Sequence, residues 1–383
     1  METLRIAQVA PYLQPHVGGV ESHVEGISAE LARRGHEVEV VTSRLPGTAP
    51  SEVRDGYLVT RVPTRRILFS TPITPRLGDA LSARPRDLVH AHSPPPLSSH
   101  YAARWCRANG VPFALTHHCD LEIPVPGGAL IVEAYRRTLG RAAVRAADAL
   151  IATTRTYAET SRSLWHRGDV HVVPNMVDTE RFHPDAMPSL DVRERHRLGD
   201  APIALFVGRL AHHKGIEEFI RAAQHTAPAV HLIVGDGPRR GALETMARTL
   251  PAGKVVFAGR VDAADLPSYY RAASVGVLPS TSRLEAFGIA ALECMASGRP
   301  VVVSDMPGVA EVVEAGVTGL VAEPLAAEDL AEKIRRVALD RELAQAMGKS
   351  ARERVVRRFT LPRVVDSLVE VYRVVREAHG RNS

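Results

Sequence analysis

The residues best equipped for chemistry lie in the second half of the chain. An apolar run, Ile203–Val207, leads into Gly208-Arg209-Leu210-Ala211-His212-His213-Lys214-Gly215. Arg209 and Lys214 therefore fall in a strand-to-helix loop, beside glycines that permit close backbone approach. Two cations so placed can neutralise a diphosphate without a metal and stabilise it as it departs. Further on, Glu285-Ala286-Phe287-Gly288-Ile289 leads to Glu293, one carboxylate in a loop and one inside a helix that Gly288 opens and Gly298 closes. A helix start presents unpaired N–H groups and a positive dipole end, which suit phosphate or sugar oxygens; carboxylates flanking it can accept hydrogen bonds from hydroxyls. Taken singly, each pair is equally well read as solvated surface charge.

Weaker signals surround these. Gly235-Asp236-Gly237-Pro238 follows the run Val230–Val234, and with Gly241 forms a loosened dinucleotide fingerprint, G-x-G-x-x-x-G. A plain strand-turn-helix with proline in the first turn explains it equally well. Gly259-Arg260-Val261-Asp262, after Val255–Phe257, is available to a base or ribose. In the first half Gly18-Gly19-Val20-Glu21 opens a helix where amides can meet a polar ligand, or is simply a flexible turn. Histidines gather at strand ends: His90 and His92, then His117 and His118 with Asp120. Adjacent strand residues point to opposite faces, so His117 and His118 are poor joint ligands and no catalytic metal is expected.

These loops need elements to position them. Short β-branched runs alternate with amphipathic stretches, the pattern of β-α units around parallel sheets. The first series of strands reads 4–10, 37–42, 88–92, 113–117, 149–153 and 171–173; the second reads 203–207, 230–234, 255–257, 275–278 and 300–303. Segment 20–34 carries Val24, Ile27 and Leu31 at helical spacing and ends at Gly35; 131–147 reads as an Arg-bearing helix. Helices of the second series read 216–227, 241–249, 266–272, 286–296 and 327–339, and the tail repeats a helical pattern at Val364, Leu368 and Val371. The fold class is α/β: two doubly wound domains meeting near residue 190, with chemistry in the loops at the carboxyl ends of the strands and in the cleft between domains.

Bulk properties narrow the class. The chain has 383 residues, 45% hydrophobic and 24% charged, enough for two domains. Its net charge of +5 is compatible with phosphate or anionic lipid, but no zinc-finger, aromatic RNA-binding or basic-heptad motif points to nucleic acid. Three scattered cysteines and an N-terminus without a basic leader region predict a cytoplasmic protein without disulfides. Arg136, Arg137, Arg141 and Arg145 lie at helical spacing, which fits either a solvated face or peripheral contact with a membrane.

In combination and in order, the motifs resemble glycosyltransferase family 4, a retaining family of GT-B fold. The resemblance rests on Gly18-Gly19-Val20-Glu21, Arg33-Arg34-Gly35-His36, Thr116-His117-His118-Cys119-Asp120, Val173-Pro174-Asn175-Met176-Val177-Asp178, Gly208-Arg209 with Lys214-Gly215, the Gly235 loop, Glu285 to Glu293 and Gly298-Arg299-Pro300. It covers nearly the whole chain, departing from the family where Met176 replaces the usual glycine and His117 an apolar or aromatic residue. It implies an N-terminal acceptor-side domain over 1–190, a nucleotide-sugar domain over 191–360, and a tail helix near 361–383 returning to the first domain. It also implies a UDP- or GDP-sugar donor, a hydroxyl acceptor and no cofactor. Arg209 and Lys214 would hold the diphosphate, and Glu285 the sugar hydroxyls with the amides of Phe287, Gly288 and Ile289. Glu293 would take the ribose, with Gly235, Arg260 and Val261 nearby; His118 would sit beside the sugar, Gly19 near the phosphate, and Gly18, His92 and Asp120 on the acceptor side.

Other readings make different demands. A nicotinamide-dependent oxidoreductase needs strict G-x-G-x-x-G spacing with an acidic residue about 20 positions on, and the Gly235 loop has neither. A nucleotide-sugar epimerase of the same fold would act without an acceptor. A metal-dependent hydrolase would rest on the histidines, and a non-catalytic sugar-nucleotide binder would not need Arg209, Lys214, Glu285 and His118 together.

Overall fold

The computed structural model describes residues 2–16, 18–123, 125–164 and 167–382. The chain divides into two α/β units: one runs to Asn175 and takes back the tail from Leu361, the other is Met176–Thr360. Residues from Met176 onward already pack with the second unit. The reason is local pairing. The Val177 N–H donates to the Phe359 carbonyl at 2.9 Å, Phe182 is buried in the second unit's core, and Arg352 donates to the carbonyls of Thr179, Phe182 and Ala296.

In the first unit, β1 (Arg5–Val9), β2 (Glu37–Ser43), β3 (Ser51–Arg54) and β4 (Tyr57–Val62) precede a small hairpin, β5 (Arg66–Leu68) and β6 (Thr71–Ile73). Then come β7 (Leu88–Ser93), β8 (Phe113–His117), β9 (Ala149–Ala152) and β10 (Val170–Val172). The eight-stranded sheet has the order β10-β9-β8-β7-β1-β2-β4-β3, parallel throughout except for β3 against β4. Strand order reverses between β1 and β7, so a crevice opens at their carboxyl ends. The helix Gly19–Arg33 buries Val24, Ile27 and Leu31 completely, as a 3.6-residue period requires. The segment expected as one helix over 131–147 is instead Gly128–Tyr135, a π-helical turn at Arg136–Gly140, and Arg141–Ala146. The tail helix Leu361–Asn382 packs on Gly19–Arg33, burying Val364, Leu368 and Tyr372.

In the second unit, β11 (Ile203–Val207), β12 (Val230–Val234), β13 (Val255–Gly259), β14 (Val275–Leu278), β15 (Val301–Ser304) and β16 (Gly319–Ala322) form an all-parallel sheet. Its order is β13-β12-β11-β14-β15-β16, with the reversal between β11 and β14. Both faces are covered, which is why its strands are nearly continuous apolar runs. The helix after β14 is Ile289–Ala296, so Ala286 and Phe287 belong to the loop before it. Among the described residues no helix is long and apolar enough to cross a membrane.

Candidate active site

The reversal point of the second unit brings together the two charged motifs of the sequence. After β11 the chain turns through Gly208 to a short 3₁₀ segment, His212–Lys214, and Gly215, with φ of 64°, starts the helix Ile216–Ala222. A Cβ at Gly215 would collide with the Pro279 carbonyl, so glycine is required both by conformation and by the approach of the loop after β14. That approach is fixed by the Thr281 N–H donating to the His213 carbonyl at 2.9 Å. It places the Lys214 ammonium directly on the Glu285 carboxylate, both largely shielded from solvent. The sequence reading gave Lys214 to a diphosphate and Glu285 to a sugar as separate contacts; the structure joins them as an ion pair. Arg209 is exposed, and its side chain makes no ion pair or hydrogen bond among the described residues. His213, between these groups, is held below the usual imidazole range by burial and then by Lys214.

Glu293 lies one helical stretch further along Ile289–Ala296, where its carboxylate accepts a hydrogen bond from the Tyr270 hydroxyl at 2.7 Å. Part of the residue reaches the surface, yet the carboxyl is enclosed. That desolvation raises it to about 7, against the lowering effects of the Tyr270 hydrogen bond and the Arg181 charge. Gly288 immediately precedes the helix, and Phe287 is buried with its ring edge-on to Phe359 at 5.9 Å. Arg260 is exposed and Val261 partly buried, at the end of β13.

The Gly235 loop is held tightly against the loop after β11. A Cβ at Gly235 would strike the Gly208 carbonyl, and one at Gly237 the backbone of Leu210. The loops after β11 and β12 are laced by Leu210 N–H to the Asp236 carbonyl, 2.9 Å, and Arg239 N–H to the Leu210 carbonyl, 3.1 Å. Loop packing alone is enough to require these glycines.

The first unit's reversal point is built from neutral groups. Gln8, His90, His92 and Thr116 occupy neighbouring strands, with Gln8 in register with His90 and His92 with Thr116. His92 Nδ1 lies 3.0 Å from His118 Nε2, and His92 Nε2 lies 2.9 Å from Gln8 Oε1. The Gln8 amide donates to the Tyr372 hydroxyl at 2.9 Å, which is 2.7 Å from His90 Nδ1; His90 Nε2 is 2.7 Å from Thr116 Oγ1. His23, from Gly19–Arg33, packs edge-on to His118 and His92. Burial pushes His23 down to about 4 and His90 to about 3, and holds His92 and His118 well below the imidazole range. His92, expected on the acceptor side, is fully buried with both nitrogens engaged, one by His118 and one by Gln8. Asp120 accepts from the Ser161 hydroxyl at 2.6 Å and pairs with His117 at 3.2 Å, while its N–H donates to the Tyr157 oxygen. His117 and His118 thus serve separate networks. Gly19 begins the first helix, and Gly18 lies against Glu21, whose carboxylate is 3.0 Å from His16 Nδ1.

Gln8, Tyr372 and His23 were not read as site residues. Gln8 left one signal, a polar side chain in the middle of an otherwise apolar parallel strand. Tyr372 left none, because a tail residue's partner cannot be read from helical spacing.

Comparison with known proteins agrees with this architecture. Residues 17–181 match the family model described as glycosyltransferase family 4, and residues 190–354 that described as glycosyl transferases group 1. An alpha-D-kanosaminyltransferase of Streptomyces kanamyceticus is 30% identical over 90% of this chain and 91% of its own length. A GDP-mannose-dependent alpha-(1-6)-phosphatidylinositol monomannoside mannosyltransferase of Mycolicibacterium smegmatis is 30% identical, covering 88% and 90%. Among solved structures, a sucrose-phosphate synthase of Thermosynechococcus elongatus superposes with a TM-score of 0.78 at 26% identity, covering 97% of this chain and 99% of that one.

Proposed function

The chain belongs to glycosyltransferase family 4, with the GT-B fold of two Rossmann-like units, and we propose that it transfers a hexose-type sugar, with retention and without a metal, from a UDP- or GDP-sugar to an acceptor hydroxyl. The observation that carries this reading is the meeting of Lys214 and Glu285 at the reversal point of the second unit, beside the exposed Arg209. A nucleoside diphosphate offers oxygens to Lys214 and Arg209, and sugar hydroxyls offer protons to Glu285 and encounter the N–H groups at Phe287, Gly288 and Ile289. Glu293 receives the ribose, with Gly235, Arg260 and Val261 toward the nucleoside. His118 meets the sugar, while Gly18 and Gly19 give backbone amides to phosphate or acceptor.

In this reaction the bond from the anomeric carbon to the diphosphate oxygen breaks as the acceptor oxygen bonds to the same face. The diphosphate, stabilised by Arg209 and Lys214, takes the acceptor's proton. Removing one preorganised donor to a developing oxyanion costs about 10²–10³ in turnover, and loss of either cation is expected to cost on that scale. The name of the Mycolicibacterium smegmatis relative, a phosphatidylinositol monomannoside mannosyltransferase, favours a lipid-linked acceptor as one class. Exposed Leu130 and Ile131 beside Arg137 favour peripheral contact with an anionic membrane face from the cytoplasm. Thermal-shift measurements against UDP- and GDP-sugars test the donor: stabilisation by at least one is expected, and stabilisation by none overturns the reading.

A further inference from the structure

The hydrogen bonds around His118 form one directed chain, and its direction decides what His118 can offer a ligand. Each neutral imidazole has one N–H and one bare nitrogen, and the bond made by one fixes the other. Gln8 Oε1 can only accept, so His92 carries its proton on Nε2. Its Nδ1 is then bare and accepts from His118 Nε2–H. At the other end the Gln8 amide donates to the Tyr372 oxygen, leaving the Tyr372 hydroxyl to donate to His90 Nδ1, and His90 Nε2–H to donate to Thr116. Five bonds are satisfied with no charge on any imidazole, which suits complete burial.

Turning the Gln8 amide over would reverse every proton in the chain and move the His118 proton to Nδ1. The two directions therefore correspond to two different histidines: one with a bare Nδ1 acceptor, one with an Nδ1–H donor. His118 Nδ1 makes no hydrogen bond to a described residue and is not sealed from solvent, whereas His23 Nδ1 is sealed. Resting on the transferase reading above, we propose that Gln8, His92 and Tyr372 are positioning residues that fix His118 as the Nε2–H tautomer, so that its Nδ1 accepts a hydrogen bond from a donor-sugar hydroxyl. The tail helix thereby has a task besides packing: the Tyr372 hydroxyl links the Gln8 amide to His90 and so closes the chain on the side away from His118.

Two measurements test this. Long-range ¹⁵N–¹H correlation spectra of the full chain, labelled at histidine, should show His118, His92 and His90 all protonated at Nε2. Protonation of His118 at Nδ1 overturns the proposal. The second is a double-mutant cycle on transfer. Tyr372→Phe removes one hydroxyl from a buried ring, and kcat/KM should fall roughly tenfold, the value of one buried hydrogen bond. Combined with His118→Ala it should cost nothing beyond His118→Ala alone, because Tyr372 acts through His118; additive losses would mark Tyr372 as merely structural and overturn the proposal. Gln8→Met, close in volume, should reproduce the Tyr372→Phe result, and full activity in both overturns it. The spectra need no substrate. Nε2–H tautomers in a protein that transfers no sugar would defeat the transferase reading alone, and active transfer with an Nδ1–H His118 would defeat this inference alone.

Discussion

The two sheets reverse their strand order in the same way, yet the crevices they create have opposite electrostatics. In the second unit the crevice between β11 and β14 holds formal charges near the surface: Arg209 exposed, Lys214 against Glu285. In the first, the crevice between β1 and β7 holds buried groups, joined by hydrogen bonds from His118 to Thr116. The cations proposed to meet a diphosphate are paired or open to solvent: Lys214 lies against Glu285 and Arg209 is exposed. A histidine that must present one particular nitrogen is better served by desolvation, which removes the charged form and leaves only the tautomer to be chosen.

Acid should separate the two units most strongly. The folded values of His23 and His90, about 4 and 3, lie below the unfolded imidazole value, and His92 and His118 shift the same way. The unfolded state therefore binds protons that the folded state refuses. The stability concerned is fully present above roughly pH 6.5 and is lost as pH falls through that value, at about 2 kcal/mol for each of His23 and His90 by pH 5. The second unit has one comparable imidazole, His231, also lowered to about 3. Hydrogen exchange between pH 7 and 5 should show amides of β1, β7 and β8 losing protection before those of β11 and β14. Simultaneous loss would mean the cluster is not what limits the first unit.

Next in size is the charged pair. Lys214→Ala, assayed with saturating nucleotide-sugar, should lower kcat by about a hundredfold or more. Near-normal turnover would remove Lys214 from the leaving-group role. Smaller again is the pH step at Glu293. With its carboxyl raised to about 7, the fraction ionised grows about tenfold from pH 6 to 8, and donor affinity measured by calorimetry should rise by a similar factor. Glu293→Gln should flatten that step. The sign for stability is a cost: above about pH 4.5 the unfolded carboxyl ionises while the folded one keeps its proton until about 7, so Glu293→Gln should be more stable than the parent at pH 8 and equal to it near pH 4.

What the sequence revealed of this contrast follows from what each unit uses. Arg209, Lys214 and Glu285 stand in loops bounded by glycines and apolar strands, so type and spacing placed them at one end of a parallel sheet. That Lys214 would face Glu285 was not legible, because it depends on the Gly215 loop meeting the carbonyl of Pro279, a contact across strands distant in sequence. His90 and His92 were seen, but their role turns on register with Gln8 and on a tyrosine from the tail helix. Elements with weak apolar signals escaped as well. β4 alternates through Arg61, whose burial depends on Glu52 of β3. The helix Arg341–Arg358 is mostly charged and buries only a narrow stripe, Met347, Gly348, Ala351 and Val355.

The smallest expected effect concerns Asp120, two residues from His118 and belonging to neither the charged crevice nor the imidazole chain. Its carboxylate is engaged by Ser161 and His117, and its amide by Tyr157, so it ties down the turn after β8. Asp120→Asn keeps the size and leaves one oxygen to accept from Ser161. Turnover should stay within about threefold, while the melting temperature drops by a few degrees for roughly 1 kcal/mol of weakened hydrogen bonding. If turnover instead fell a hundredfold with stability unchanged, a carboxylate in the first unit would be taking part in the reaction, and the division between a charged donor grip and a neutral first-unit crevice would no longer hold.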